Sequence, residues 1–152
     1  MTFALLESYR KALQSNPVLA SRLKEEARWG LEFVMKNRYS DGYRASSMGL
    51  LHWLDGVVGS KDDIKTVRIQ NLPFDNFLYS GYEAYAALTL KEEDRKTYDR
   101  LVTIAEEDYS FAMEKYLKDG YAGFRQPYEH QYNTSQSQFM ATASWASSQL
   151  YL

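Results

Sequence analysis

Residues 131–152 read QYNTSQSQFMATASWASSQLYL and contain no Asp, Glu, Lys or Arg. Phe139, Ala143 and Ala146 recur within this run at the spacing of one helix face. A helix without charged residues has no side suited to water, so we predict that neighbouring helices surround it. A chain that stops on such a helix is expected to be a piece of a longer protein.

The other helical stretches alternate in the number of charges that they carry. The stretches from Pro17 to about Arg38 and from Asp94 to Leu117 each combine an apolar stripe with a charged side, as outer helices do. Between them, Asn76 to about Leu90 carries Glu83 as its only charge and is predicted to be internal. The order outer, inner, outer, inner is that of α-hairpins laid side by side around an axis. A four-helix bundle would give every helix a charged stripe, so the alternation predicts an all-α toroid of α-hairpins.

Turn residues separate these helices. A short first helix, Thr2 to Gln14, is predicted to end before Asn16, which caps the next helix ahead of a proline. Two long loops are predicted, near residues 39–75 and 118–134, and the first shows no sustained period except for a short helical turn at Met48 to Leu54. Long segments of this kind in a compact domain are often binding or lid segments.

Composition excludes several classes of protein. The net charge of −2 provides no basic field, so we expect no nucleic-acid partner. With no cysteine in the sequence, disulfides and thiolate metal sites are impossible. The N-terminus does not resemble a signal peptide, and no apolar run approaches membrane-spanning length, so we expect a soluble chain without a membrane span. These features do not decide the cellular compartment. For the parent protein, the hypothesis is that it is secreted or periplasmic.

Clusters of acidic residues are predicted to be solvated surface. Residues 62–63, 92–94 and 106–108 are acidic, but adjacent residues on a helix do not face each other as a catalytic pair must. The two histidines, His52 and His130, lie far apart without a third ligand, so neither zinc nor another cofactor is predicted. A calcium or other oxygen-ligand site that uses Asp62 and Asp63 is the alternative for that pair.

Several of these segments are similar to one enzyme family. Residues 26–36 (EARWGLEFVMK), followed by residues 40–43 (SDGY), resemble the outer helix and Asp-Gly loop of glycoside hydrolase family 9. Residues 143–151 (ASWASSQLY) are similar to the Trp-Ala-Ala-x-x-Leu-Tyr helix of that family, and residues 82–87 (YEAYAA) lie where it has an alanine-rich inner helix. The match follows nearly the whole chain in order and spacing.

This resemblance implies a single partial (α/α)6 domain over residues 1–152, from an enzyme that hydrolyses β-glucan or a related polysaccharide with inversion. Inverting enzymes use a general acid and a general base about 6.5–9.5 Å apart. The family has its base in an Asp-Ala-Gly-Asp motif upstream of the first helix seen here and its acid far downstream. Neither residue can be assigned in this chain, so it is expected to be inactive alone.

The two predicted loops contain the candidate substrate-binding residues. Sugar rings stack on aromatic faces while their hydroxyl groups need polar partners, and both kinds of side chain occur here. The candidates are Tyr43, Arg44, His52 and Trp53 in the first loop and Arg125, Tyr128, Glu129 and His130 in the second. In contrast, Trp29 and Trp145 lie in mid-helix and are predicted to pack in the core.

Two further classes of function are compatible with a helical toroid. A non-catalytic carbohydrate-binding or protein-interaction module would keep the hairpins without an acid and base. A terpenoid cyclase or epimerase is less favoured, because the sequence has no aspartate-rich diphosphate motif and no placed histidine pair. The expected partner is an oligosaccharide or polysaccharide, and exposed inner helices predict self-association or domain swapping.

Overall fold

The described residues form five helices and a two-stranded sheet, so the protein is predominantly helical as the sequence predicts. The computed structural model describes residues 1–52, 55–121 and 135–151, and the side chains at 46–48 and 50–52 lie outside that description. The elements are α1 (Thr2–Ala12), α2 (Pro17–Lys36), β1 (Arg44–His52), β2 (Ile64–Gln70), α3 (Pro73–Leu90), α4 (Arg95–Asp119) and α5 (Gln136–Tyr151). No described helix is long and apolar enough to cross a membrane.

Helices α1, α3 and α5 lie side by side and form the first layer. The ring of Phe3, near the start of α1, lies 5.8 Å from the ring of Tyr82. Tyr9, further along α1, donates to Glu93 just beyond the end of α3. Since both contacts advance together along the two helices, α1 and α3 run in the same direction.

The contacts between α3 and α5 advance in the same way. Phe77 meets Phe139 with ring centroids 5.6 Å apart, and Tyr82 meets Trp145 at 5.2 Å. Gly81 makes this approach possible, because a side chain at that position would collide with the Trp145 ring. All three helices of the first layer are therefore parallel, and α3 lies in the middle.

Helices α2 and α4 form the second layer and run in the opposite direction. Ser80, near the middle of α3, donates to the carbonyl of Ala105, near the middle of α4, over 2.7 Å. Leu90, at the end of α3, shares a buried cluster with Leu101 near the start of α4. Gly30 of α2 lies against Thr2, at the start of α1. Each second-layer helix thus forms an antiparallel hairpin with the first-layer helix that precedes it.

Two apolar clusters hold the layers together. Burial of apolar side chains between helices is the main source of helix stability in proteins, because isolated helices of this length are marginal in water. The larger cluster joins the first four helices and contains Leu6, Ala27, Leu31, Tyr85, Ala86, Ala87, Leu90, Leu101 and Ile104. The second joins α3, α4 and α5 through Phe77, Ala112, Phe139 and Ala146.

The first predicted loop contains a β-hairpin, so the prediction of a long loop near residues 39–75 without a sustained period was wrong. β1 pairs antiparallel with β2, and the helical turn predicted around Met48 is part of β1. The pairing register shifts between Ala45 and Ser47 and again between Leu50 and His52. Such irregularities break the period-two pattern by which a strand is recognised in a sequence, which explains the error.

One prediction about burial was also wrong. Trp29 does not pack in the core, because its side chain is 76% exposed on α2. In α5 only Phe139 and Ala146 are buried, and the side of α5 away from α3 is exposed. Helices that surround α5 on that side would come from outside this chain, so that prediction stays a prediction. Trp29 is apolar and the exposed side chains of α5 are uncharged. These residue types do not by themselves show whether a neighbour covers them. Trp145, in contrast, is half-buried in ring contacts, as predicted.

The bounds of the first four helices were predicted to within three residues. Asn16 caps α2 as expected, since its side chain accepts from the Leu19 amide over 3.0 Å and a proline follows it. Asp94 caps α4 through the amide of Thr97. α3 begins at Pro73, three residues before the predicted start, and α4 continues through Asp119, into the second predicted loop.

Candidate functional site

Both long connections of the chain join helix termini that lie at the same end of the helices. Residues 37–72 run from the end of α2 to the start of α3, and residues 120–135 run from the end of α4 to the start of α5. Because the two layers are antiparallel, the ends of α2 and α4 lie beside the starts of α3 and α5. The short connections, 13–16 and 91–94, lie at the opposite end. Topology therefore brings the ends of α2 and α4 and the starts of α3 and α5 together at one end, called here the long-connection end.

A cleft of about 440 Å³ opens at the long-connection end. Its walls come from the turn after α2, the start of β1, the first turn of α3 and the second half of α4. Cleft volumes of a few hundred Å³ are typical of small-molecule sites. The lining residues are Arg38, Tyr39, Ser40, Asp41, Gly42, Tyr43, Arg44, Asn76, Glu107, Asp108 and Phe111.

The turn that forms one wall of the cleft is held by backbone and amide contacts. The Tyr39 amide donates to the carbonyl of Tyr43 over 2.8 Å. Gly42 has φ +68, and a side chain there would collide with the ring of Phe111. Asn76, at the start of α3, donates to the Gly42 carbonyl over 3.0 Å. Residues 40–42 (Ser-Asp-Gly) thus form a turn, and its glycine is required by both conformation and packing.

Two tyrosine rings give the cleft flat surfaces. Tyr39 is 49% exposed and Tyr43 is 41% exposed. Beside them, Arg38, Asp41 and Glu107 supply charged heads of both signs. Such a set of donors and acceptors can hydrogen-bond hydroxyl groups while the rings contact C–H faces. The cleft is therefore chemically suited to a neutral polyhydroxylated ligand.

Behind the cleft lies a charge network, called here the buried charge network, in which Arg44, Glu83 and Asp108 are buried and Arg38, on the cleft wall, is 24% exposed. Arg44 is 1% exposed, and its guanidinium donates to Glu83 over 2.6 Å and to Asp108. Arg38 donates to Asp108 over 2.9 Å. The guanidinium of Arg44 also lies 4.1 Å from the ring centroid of Tyr79. The network joins the end of α2, β1, α3 and α4. It therefore fixes the β1–β2 hairpin against the helices.

Burial shifts two carboxyl groups near this network. Desolvation raises the pKa of Glu83 to about 8, against the opposing attraction of Arg44. Desolvation also raises the pKa of Asp75 to about 6, again opposed by Arg44. Removing a carboxylate from water disfavours its charged form, which is the common cause of both shifts.

Asp108 corrects the prediction that residues 106–108 are solvated surface. Glu106 and Glu107 are exposed, but Asp108 is 3% exposed and faces Arg44. Successive helical residues point about 100° apart, so one of three adjacent acids can face the core while its neighbours face water. Glu83 carried a signal for the same network, because a single charge in an otherwise apolar helix needs a buried partner.

The predicted substrate-binding residues fall into three groups. Tyr43 lines the cleft with an exposed ring, whereas Arg44 is buried with its guanidinium bound to two carboxyl groups. His52 lies in β1, but its side chain is outside the description. The residues outside the described part of the chain are Trp53, Arg125, Tyr128, Glu129 and His130, and their roles stay predictions. Arg38, Tyr39 and Glu107 were missed because their proximity depends on helix packing.

The acidic pair in the β1–β2 turn has a third member. Asp55, Asp62 and Asp63 each present an oxygen within 4.8 Å of the others, and no second group of this kind occurs among residues 1–52, 55–121 and 135–151. The Asp55 amide donates to Asp62 over 3.1 Å, and Ser60 donates to the same carboxylate. The bond from Ser60 lowers the pKa of Asp62. These contacts account for the cluster as a hydrogen-bonded turn, and a cation there stays a prediction.

Comparison with known proteins gives no relative. No protein-family model matches the chain, and neither a curated protein nor a solved structure matches it. The resemblance to glycoside hydrolase family 9 therefore stays an interpretation of the sequence.

Proposed function

We propose that this chain is part of a polysaccharide-hydrolysing enzyme with an (α/α)6 toroid, similar to glycoside hydrolase family 9. The observation that carries the proposal is the repeated placement of its hairpins. The α3–α4 hairpin lies beside the α1–α2 hairpin in the same orientation, and α5 continues the first layer in the same direction. Further steps of this kind, with a small rotation between hairpins, close a double-layered ring. In that ring, α1, α3 and α5 are inner helices and α2 and α4 are outer helices.

The long-connection end supports a carbohydrate ligand. The cleft of about 440 Å³ combines the exposed rings of Tyr39 and Tyr43 with the charged heads of Arg38 and Glu107. Its charged lining residues include both signs, so it favours neither a polyanion nor a polycation. We propose an oligosaccharide of a β-glucan or a related plant polysaccharide as the ligand.

The buried carboxyl groups support the proposal that this chain has no catalytic pair of its own. Glu83 and Asp108 are both bound to Arg44 and shielded from solvent, so neither can activate a water molecule at a sugar ring. In the proposed parent enzyme, the acid and base come from other parts of the polypeptide. The chain alone is expected to bind an oligosaccharide without cleaving it.

Titration of the chain with a soluble β-glucan oligosaccharide, followed by NMR chemical shifts, tests the ligand. Tyr43→Ala is expected to weaken binding about tenfold, which corresponds to about 1.4 kcal/mol. Tyr151→Ala is the matched control, because this tyrosine is 92% exposed and lies outside the cleft. Equal loss in both variants, or no binding by the native chain, contradicts the cleft assignment.

A reducing-sugar assay tests the catalytic half of the proposal. The purified chain is expected to release no reducing sugar from a soluble glucan. The parent reading frame is expected to supply further hairpins with a late Glu and an upstream Asp pair. A clear rise in reducing sugar from this chain alone contradicts the assignment of the acid and base to other parts of the polypeptide.

One observation favours the second candidate, a non-catalytic helical binding or interaction module. Trp29 and Phe33 lie one turn apart on α2 and are 76% and 44% exposed. An exposed aromatic pair on a helix is a common contact surface for a partner. A parent reading frame without further hairpins decides in favour of this candidate. We also propose that the chain associates with a second copy of itself, because the side of α5 away from α3 is exposed.

A further inference from the structure

Asn76 forms part of the floor of the cleft and has one polar atom without a partner. It lies in the first turn of α3, lines the cleft and is 0% exposed. Its side-chain NH2 group donates to the carbonyls of Gly42 over 3.0 Å and of Leu72 over 2.9 Å. Since both neighbours only accept, they fix which way round the amide lies. The remaining atom, Oδ1, has no hydrogen-bond partner within the described part of the chain.

A second unpaired atom belongs to Arg44, which also lines the cleft and is 1% exposed. The terminal nitrogens of its guanidinium donate to the carbonyl of Val34 and to the carboxylates of Glu83 and Asp108. The Nε–H group, in contrast, meets no acceptor among the described residues. The floor of the cleft therefore holds one unpaired acceptor, on Asn76, and one unpaired donor, on Arg44.

Unpaired buried polar atoms indicate a missing partner. Leaving a buried donor or acceptor unpaired costs free energy, so native proteins pair nearly all of them with protein groups or ordered water. Asn76 and Arg44 both line a cleft that opens to solvent. The partner of each atom is therefore expected to be a group that enters the cleft.

The two unpaired atoms together specify the chemistry of that group. Oδ1 of Asn76 needs a donor, and Nε–H of Arg44 needs an acceptor. Among the groups that polysaccharides carry, an ionised carboxylate only accepts and an ammonium group only donates, so each would leave one of the two atoms unpaired. A hydroxyl group donates and accepts through a single oxygen. The floor of the cleft is therefore suited to hydroxyl groups.

We propose that Asn76 is a specificity-determining residue of the cleft, and that its Oδ1 accepts a hydrogen bond from a hydroxyl group of the bound oligosaccharide. Nε–H of Arg44 donates to a hydroxyl oxygen of the same ligand. This inference rests on the proposed carbohydrate ligand, and it favours neutral glucans over polysaccharides that carry carboxylates. A site that pairs a buried polar atom with a substrate hydroxyl strongly rejects the analogue that lacks it, because the protein atom is then left unpaired.

Fluorinated ligands test the inference on the native chain. The probes are a soluble β-glucan trisaccharide and a set of analogues in which each hydroxyl group in turn is replaced by fluorine, which cannot donate a hydrogen bond. Replacement of the hydroxyl that meets Asn76 is expected to raise the Kd about tenfold or more, whereas most other replacements should change it by less than about threefold. Isothermal titration calorimetry measures each Kd.

Two asparagines at the long-connection end assign the effect to one side chain. Asn76→Ala is expected to bind the trisaccharide and the sensitive analogue with equal Kd. Asn71→Ala is the matched control and should keep the native ratio of the two Kd values. Oδ1 of Asn71 already accepts from Lys115 over 3.0 Å, and Asn71 is not among the residues that line the cleft. A native ratio in Asn76→Ala overturns the inference.

The side-chain amide signals of Asn76 in the native chain decide the question if circular dichroism shows that Asn76→Ala is unfolded. The NMR shifts of this amide are expected to change when the trisaccharide saturates the cleft and to change much less with the sensitive analogue. Equal changes overturn the inference. Equal Kd values for the trisaccharide and all analogues overturn it as well and leave the floor to ordered water, while the proposed carbohydrate ligand stands. A chain that binds none of the probes overturns both proposals.

Discussion

Two groups of charged residues join the hairpins, one at each end of the helices, and they differ in burial. At the short-connection end, Lys24 contacts Glu93 over 2.6 Å, and Arg28 contacts Asp94 over 3.2 Å. We call these four residues the surface charge network. In the buried charge network at the long-connection end, Arg44 contacts Glu83 over the same 2.6 Å. The Lys24 and Glu93 side chains are 28% and 34% exposed, while those of Arg44 and Glu83 are 1% and 0% exposed.

The same residue type responds in opposite ways at the two ends. A hydrogen bond from Lys24 is the main reason that the pKa of Glu93 is lowered. Burial is the main reason that the pKa of Glu83 is raised, although an arginine lies equally close. An ion pair therefore does not by itself favour the charged form of a carboxyl group, because desolvation can exceed the attraction of the partner.

The largest expected effect is the difference in the free energy of unfolding between variants of one arginine from each network. Arg44→Met removes the buried cation, which leaves Glu83 without its partner and Asp108 with Arg38 alone. It is therefore expected to lower the free energy of unfolding by about 3–5 kcal/mol. Arg28→Met removes a half-exposed pair and is expected to lower it by less than about 1 kcal/mol. Urea unfolding of both variants measures the difference. Similar losses would show that burial does not distinguish the two networks.

The second expected effect is a pH dependence that comes from Glu83. Its pKa in the folded protein, about 8, lies above its ordinary value of 4.5. The folded state thus holds a proton that the unfolded chain releases, so this contribution to stability is complete below pH 4.5 and is lost as the pH rises toward 8.

Glu83→Gln is expected to remove that dependence. The variant keeps a neutral side chain of the same shape, so native stability should fall relative to the variant, by an amount on the order of a few kcal/mol, between weakly acidic and weakly alkaline pH. Glu93→Gln is the matched control. The pKa of Glu93 is lowered, so its small contribution is lost only as the pH falls. Urea midpoints across the pH range measure both, and parallel profiles for the native chain and Glu83→Gln would contradict the assignment.

The smallest expected effect compares two asparagines, one at each end. Asn37 is 5% exposed and bonds both the amide and the carbonyl of Ala45, over 3.0 and 2.9 Å. Asn37→Ala leaves buried backbone groups without partners and is expected to cost about 2 kcal/mol. Asn16→Ala removes an exposed helix cap and is expected to cost about 1 kcal/mol. Thermal unfolding of the two variants checks the order, and a larger loss for Asn16→Ala would reverse the comparison.

Prediction from the sequence was most successful for local structure. The helical periods and the Asn16 cap of α2 placed the helices, because these signals depend on neighbours within one or two turns. The β1–β2 hairpin was missed because its register shifts hide the strand pattern. Of the candidate site, Tyr43 could be named from the sequence, whereas Arg38 and Glu107 could not. Their proximity depends on how the end of α2 packs beside α4.

The sequence by itself determined where α2 and α4 begin, that α3 is internal, and that Glu83 is the only charge between Asn76 and Leu90. Only the tertiary structure decided what that charge meets, since Arg44 and Asp108 lie 39 and 25 residues from it in the chain. It also decided which acid of residues 106–108 is buried and which side of α5 faces water. The physical reason is that periodicity reports the environment averaged over a helix face, whereas the partner of a single buried side chain depends on the packing of other helices.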